Sequence, residues 1–204
     1  MILFEKTQVM NFENAMRGAR NPMNSWAKTD SITTQDGLFI FGPNDLDLAQ
    51  RLCKAGSDHR KFIRQIFISV DITAPLYWWK EFDTYKIGTV ANSTSTMHKI
   101  HSKPFSMDDF STDRMLAQTK EAMSIVIKTL EDLRLSYVSN KNKDTWYSMI
   151  QFLPSSYNQK RTLSMNYENI FNMYHSRNNH TLDEWKVFCN WILKLPYVED
   201  LFGI

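Results

Sequence analysis

Between Asp83 and His101 the chain reads DTYKIGTVANSTSTMHKIH, and six of these nineteen residues are Ser or Thr. Lys86, His98, Lys99 and His101 flank the hydroxyls, and no acidic residue follows Asp83 in the stretch. Hydroxyls, amides and ammonium groups all donate hydrogen bonds to phosphate oxygens, so this composition points to an anion-binding surface. An ordinary solvent loop is the rival reading, although such loops draw more heavily on Gly, Pro and Asp. Further anion donors stand far along the chain at Arg161 and Arg177. Other chemistries find less support. His98 and His101 lie three apart with no additional Cys or His at ligand spacing, so no metal site is expected. Gly88 stands outside any Gly-rich phosphate loop, and no Ser occupies a nucleophile elbow. The Trp78-Trp79 pair reads as core before it reads as a stacking platform.

The elements that must position these residues can be read from period and punctuation. Residues 17–37 are polar, with Asn21-Pro22 as a turn signal, and the N-terminal part to about residue 42 reads as loop-rich. PNDLDLAQRLC from Pro43 predicts a short helix opening at Asn44 or Asp45 and stopping near Gly56. FIRQIFISVDIT from Phe62 alternates and is β-branched, which predicts a strand. Pro75 falls at the first position of a helix whose Trp78, Trp79 and Phe82 can be buried. From Met115 to Tyr137, Met123, Val126, Ile127, Leu130 and Leu133 keep a helical period. MNYENIFNMYHSR predicts another helix, ending before Asn178-Asn179. A last one opens on a Thr181–Glu184 capping box and runs through WKVFCNWIL. Strong helices with few strands give an α+β class or a mostly helical one.

Composition bounds the rest. With 204 residues, 43% hydrophobic and 13% aromatic, the chain can bury one sizeable core, so a single domain over 1–204 is expected. A net charge of +2 argues against nucleic acid as the main partner and leaves room for a small anionic ligand. Cys53 and Cys189 are far apart and read as reduced core residues. MILFEKTQVM lacks a basic start followed by an apolar core. No apolar run approaches the roughly 20 residues that span a bilayer. A soluble, cytoplasmic protein is the expectation.

The order of motifs resembles the flavin-dependent thymidylate synthases. That family carries Arg-His-Arg-x-x-Ser-x-Asn-Glu-x-Ser-x-Arg-Tyr after an Ala-Pro and an aromatic-rich helix. Ala74-Pro75 lies at the matching distance, and Lys80, Glu81 and Phe82 resemble the Arg-Gln-Trp before the motif. Lys86 then stands for the second Arg, Thr89 for the first Ser and Thr94 for the second. His59 has the spacing of the histidine near the flavin. Leu153-Pro154, Asn166 and Arg177 follow the family's Leu-Pro, Asn and Leu-Arg order, and Trp185 resembles its late Gln-Trp-Glu. The likeness covers roughly residues 55–190. The departures are as informative. Thr84 and Tyr85 replace the first Arg and His, Ala91-Asn92 replaces Asn-Glu, Thr96-Met97 replaces Arg-Tyr, and Arg64 stands where a carboxylate is expected. Charge-assisted bonds of the kind lost contribute about 1.5–3 kcal/mol each, so two losses weaken a phosphate ligand by roughly two to four decades.

What the resemblance implies is a homotetramer with shared active sites. In it a nucleotide or nucleotide-derived ligand would meet Lys86, Thr89, Asn92, Ser93, Thr94, Ser95, His98, Asn166 and Arg177. If FAD is bound, His59, Tyr85 and Lys86 would face it. Three functions stay open: ligand binding without thymidylate synthesis, an active FAD-dependent transfer of a one-carbon unit from methylenetetrahydrofolate to dUMP, or an interaction protein that keeps only the fold.

Overall fold

Residues 2–204 are described by a computed structural model of the chain, and helices and strands are mixed along them in an α+β order. Strand β1 (Leu3–Met10) and helix α1 (Phe12–Arg20) come first. The short β2 (Ile32–Thr33) and β3 (Phe39–Ile40) precede α2 (Pro43–Lys54). A 3-10 helix (Arg60–Gln65) leads into β4 (Phe67–Pro75), α3 (Leu76–Phe82) and β5 (Val90–Ser93). Then come α4 (Ala117–Asn140), α5 (Lys143–Phe152), β6 (Asn158–Asn166), α6 (Tyr167–Arg177), α7 (Asp183–Ile192) and α8 (Val198–Phe202). One sheet has the strand order β1-β4-β6-β5. Strands β2 and β3 form a separate antiparallel pair, with Ile32 opposite Ile40 and Thr33 opposite Phe39. The chain divides into two units: one of residues up to Leu3, Asp71–Thr84 and Ala91–Thr162, the other of Phe4–Val70, Tyr85–Val90 and Leu163–Ile204.

In the first unit α4 and α5 pack as a helical hairpin. Met123 and Leu130, two turns apart on α4, are buried against Ile100, Phe105, Phe110 and Met149. Lys141 ends α4 in the left-handed region at φ 54. Asn142 then starts α5, its side chain accepting from the Asp144 and Thr145 amides at 2.7 and 3.2 Å. Trp78 and Trp79 are fully buried and meet edge to face at 4.8 Å. The first amides of α3, from Leu76 and Tyr77, donate to the carbonyls of Tyr157 and Ser155.

In the second unit α1 buries Phe12, Ala15 and Met16, and the Phe12 ring touches Phe39, Tyr167 and Tyr197. Arg20 and Asp45 form a buried ion pair, with Nε 2.6 Å from Oδ1. Burial alone would raise the Asp45 pKa. Hydrogen bonds from Ser31 and the Arg20 guanidinium outweigh it and hold the carboxyl below the usual range. Helix α2 is capped from a distance: the Asp30 carboxylate accepts from the amides of Asn44 (2.8 Å) and Asp45 (3.0 Å). Cys53 and Cys189 are free and buried, and burial pushes their thiols up to about 12 and about 11.

Several expectations need correction. The loop-rich start is confined to the residues after Arg20, because Leu3–Met10 is a strand and Phe12–Arg20 a helix. Most β1 side chains are exposed, so no apolar alternation announced it. The strand expected from Phe62 begins at Phe67. Phe62, Ile63 and Ile66 are buried at helical spacing, and Arg60–Gln65 is 3-10. Pro75 ends β4, and the helix starts one residue later. The Thr181–Glu184 box does not form: α7 starts at Asp183 after Leu182, whose amide donates to His180 Nδ1 at 3.1 Å. Asn166 of the MNYENIFNMYHSR pattern closes β6 and caps α6.

Candidate functional site

The expected ligand residues fall into two groups, one in each unit. In the first unit, β5 carries Asn92 and Ser93 with exposed side chains. Thr94 follows, its amide donating to the Lys160 carbonyl at 2.9 Å. Ser95 Oγ accepts from the amides of Met97 and His98 at 3.2 and 2.8 Å, which holds the next turn and leaves the His98 ring exposed. Gln159 Nε2 donates to the Thr94 carbonyl at 2.8 Å. Thr94 and Ser95 therefore stand at a fixed edge. They line a cavity of about 370 Å³ with Lys99, Lys103 and Lys160, and Thr73, Ser102, Tyr157 and Asn158 add hydroxyl and amide groups. Asp108 and Asp109 complete the wall. Lys103 is ion-paired with Asp109, whose carboxylate raises the ammonium pKa, and Lys160 lies 3.3 Å from Asp71. With Asp71 counted, three lysines meet three aspartates, so the donors an anion would find there are the ammonium, hydroxyl and amide groups and not an excess of charge.

The second unit gathers the other group around α6. Asn166 and Asn169 cap the helix reciprocally, each side-chain oxygen 3.0 Å from the other's backbone amide. Asn169 Nδ2 also donates to the Ile87 carbonyl at 2.6 Å. Arg177, at the last position of α6, donates from Nε to the Tyr85 hydroxyl at 2.9 Å. Its guanidinium sits over the Trp185 ring at 4.7 Å and the Tyr85 ring at 5.6 Å. Thr89 Oγ donates to the Tyr85 carbonyl at 2.6 Å, and Lys86 is exposed. His59 is exposed at the residue before the 3-10 helix.

Some of the hydroxyl richness is local architecture. Thr84, Thr89 and Ser95 bond to neighbouring backbone groups, which the Ser/Thr count could not reveal. Arg161 is also committed. It bonds Asp83 at 2.7 Å and Gln159 at 3.0 Å, and lies over the Trp79 ring at 4.2 Å. Lys103 and Lys160 were missed because their stretches carry no anion-site signature. Only the strand that brings Lys160 beside Thr94 makes it a candidate.

The sequence matches no protein-family model and no curated protein. The fold does find counterparts. Thymidylate synthase X (ThyX) of Helicobacter pylori, solved with FAD and dUMP, superposes with a TM-score of 0.71 at 15% identity, covering 98% of this chain and 96% of that one. A second structure of the same enzyme, a flavin-dependent thymidylate synthase complexed with FAD and dUMP, gives 0.69 at 16% identity, over 98% and 97%. The chain thus has the α+β fold of flavin-dependent thymidylate synthases, matched over almost its full length. Among the described residues, no helix is long and apolar enough to cross a membrane, and no group of three or more His, Cys, Asp or Glu could hold a metal ion.

Proposed function

We propose that this chain is a divergent relative of the flavin-dependent thymidylate synthases. It binds a nucleotide or nucleotide-derived ligand by its phosphate, in a pocket that a second copy of the chain helps to form, and it does not make thymidylate. It senses, sequesters or modifies that ligand. The observation that carries the reading is the cavity where Thr94 and Ser95 meet Lys99, Lys103 and Lys160. By resemblance Thr94 stands for the motif's second Ser, with Ser95 beside it, and the lysines supply ammonium donors where the motif has arginine.

The absence of thymidylate synthesis rests on the remaining motif positions. Thr84 turns its hydroxyl to the Glu81 carbonyl at 2.7 Å, Tyr85 is engaged with Arg177, and Lys86 is exposed. These residues do not fit a guanidinium clamp for the diphosphate of FAD.

Calorimetry tests the binding. Expected is saturable binding of dUMP, with deoxyuridine at least tenfold weaker, since one lost charge-assisted bond of ~1.5 kcal/mol is about a decade. Lys160→Ala should weaken dUMP by a similar factor. Failure of every nucleoside monophosphate to bind at millimolar concentration would overturn the reading. A flavin absorption spectrum in the purified protein, or rescue of a thymidine-requiring bacterium by this chain, would overturn its second half.

A further inference from the structure

Glu13, Met16, Arg17 and Arg20 follow one another at i, i+3, i+4 and i+7, a single stripe along α1. The two ends of this stripe hold the chain that follows the helix. At the far end the buried Arg20 donates to the carbonyls of Ser25 (3.4 Å) and Lys28 (3.1 Å) as well as to Asp45. At the near end the Glu13 carboxylate accepts from the Thr33 hydroxyl at 2.7 Å. Thr33 in turn lies opposite Phe39 in the β2–β3 pair. Between these tethers remains a cavity of about 350 Å³. Small-molecule sites run from about 300 to 1,000 Å³, so its ligand would be small. Met16 and Phe39, both buried, give the cavity apolar walls. Trp26 adds a ring that is 49% exposed and fixed by the bond from its Nε1 to Asn21 Oδ1 at 2.8 Å.

The charges at its rim decide what it can hold. Glu followed four residues later by Arg is the favourable order for an ion pair on a helix. Glu13 and Arg17 form none: Glu13 is met by Thr33, and the Arg17 guanidinium has no ion-pair partner among the described residues. Asp45 also borders the cavity, but its carboxylate is committed to Arg20 and to the Ser31 amide at 3.1 Å. A ligand therefore meets one cation and one anion, a helical turn apart, beside an apolar and aromatic lining. We propose that this cavity binds a free α-amino acid with an aromatic or bulky apolar side chain. Its carboxylate lies on Arg17, its ammonium on Glu13 and its side chain among Met16, Trp26 and Phe39. Both charges of an amino acid sit on one carbon, so opposite charges one turn apart can each take a charge-assisted bond to it. A nucleotide suits the cavity less, because its phosphate would stand beside the Glu13 carboxylate. None of these residues lines the Thr94 cavity, so the two ligands are independent.

Calorimetry on the full chain with L-phenylalanine tests this, beside two probes that each lack one charge, hydrocinnamate and phenethylamine. Saturable binding of phenylalanine is expected, with each probe at least tenfold weaker, the effect of one lost charge-assisted bond. Glycine, which has no side chain to bury, should also be at least tenfold weaker. Arg17→Gln should weaken phenylalanine about tenfold and leave phenethylamine unchanged. Glu13→Gln, which can still accept from Thr33, should weaken phenylalanine and leave hydrocinnamate unchanged. A general loosening of the loop would instead weaken all three compounds together in both variants, and that result would overturn the assignment of the charges. Trp26→Ala should weaken all three, with a thermal melt to show that it folds; if it does not, the two charge variants decide. Failure of phenylalanine, tryptophan and leucine to bind at millimolar concentration overturns the site. Equal binding of phenylalanine and both probes overturns the amino acid as its ligand, as does unchanged phenylalanine affinity in Arg17→Gln.

Discussion

Tyr85 shows how one side chain can redirect another. The sequence placed Arg177 by its spacing from Asn166, but nothing in that spacing said that Tyr85, ninety-two residues earlier, would meet its Nε. Single residues elsewhere obey simpler rules that were legible. Cys53 and Cys189 were read as buried and reduced, and they are buried and free. With thiols raised to about 12 and about 11, both should resist an exposed-thiol reagent at pH 8 in the native protein and react fully once it unfolds. Their raised pKa values stabilise the fold in full below the range in which unfolded thiols ionise. That contribution is lost as pH rises through about 9 toward 12, so thermal melts should lose stability on the alkaline side. Asp45 works in the opposite direction. Its lowered pKa contributes stability above the ordinary value of 3.8 that is lost as pH falls through the folded value. Asp45→Asn strands the buried Arg20 and should cost roughly 3 kcal/mol at neutral pH, measured by urea unfolding, while flattening the acid limb of stability against pH.

Elements with a strong apolar period were readable, and those organised by polar groups were not. Helix α4 was visible because Met123 and Leu130 recur at helical spacing, whereas α2 was read from its opening at Asn44 or Asp45 and α7 from a capping box that does not form, although Trp185, Phe188 and Ile192 do keep a helical period. The ends of the helices were harder to read, because caps here often come from distant backbone or side chains. Helix α3 takes the Tyr157 and Ser155 carbonyls, and α2 takes the carboxylate of Asp30, which precedes the helix in the loop before β2. A cap that arrives from outside the helix leaves no local motif. Asp30→Ala should accordingly lower stability by about 1 kcal/mol, within the usual range for losing an N-cap carboxylate. Gly42→Ala should cost more. Its Cβ would fall 2.2 Å from the Asp30 Cγ and 2.4 Å from the Asp30 carbonyl oxygen, so backbone must move. A Gly42→Ala melting temperature equal to that of the unsubstituted protein would show that the loop shifts freely and that the close approach costs nothing.

For the whole molecule, the fold class was legible because motif order and spacing survive where motif identity does not. The two-unit division was not, since Tyr85–Val90 changes unit within a single polar stretch. A tetramer is the expected assembly in solution. Single-chain exposure of Ile87 (91%), Met23 (81%) and Leu116 (76%) leaves large apolar side chains for a neighbouring copy to cover. Light scattering at micromolar concentration should give the mass of four chains; a single-chain mass would count against the shared pocket. The α4–α5 hairpin has a practical reach of its own. It turns on Lys141 in a left-handed conformation, and Lys141 and Lys143 are both exposed between two helices that otherwise shield the backbone. Trypsin should find its earliest cut there, and the helices, still packed on one another, should travel together through gel filtration. The nicked protein would then be two polypeptides behaving as one, and the turn a ready place to open the chain and rejoin it elsewhere.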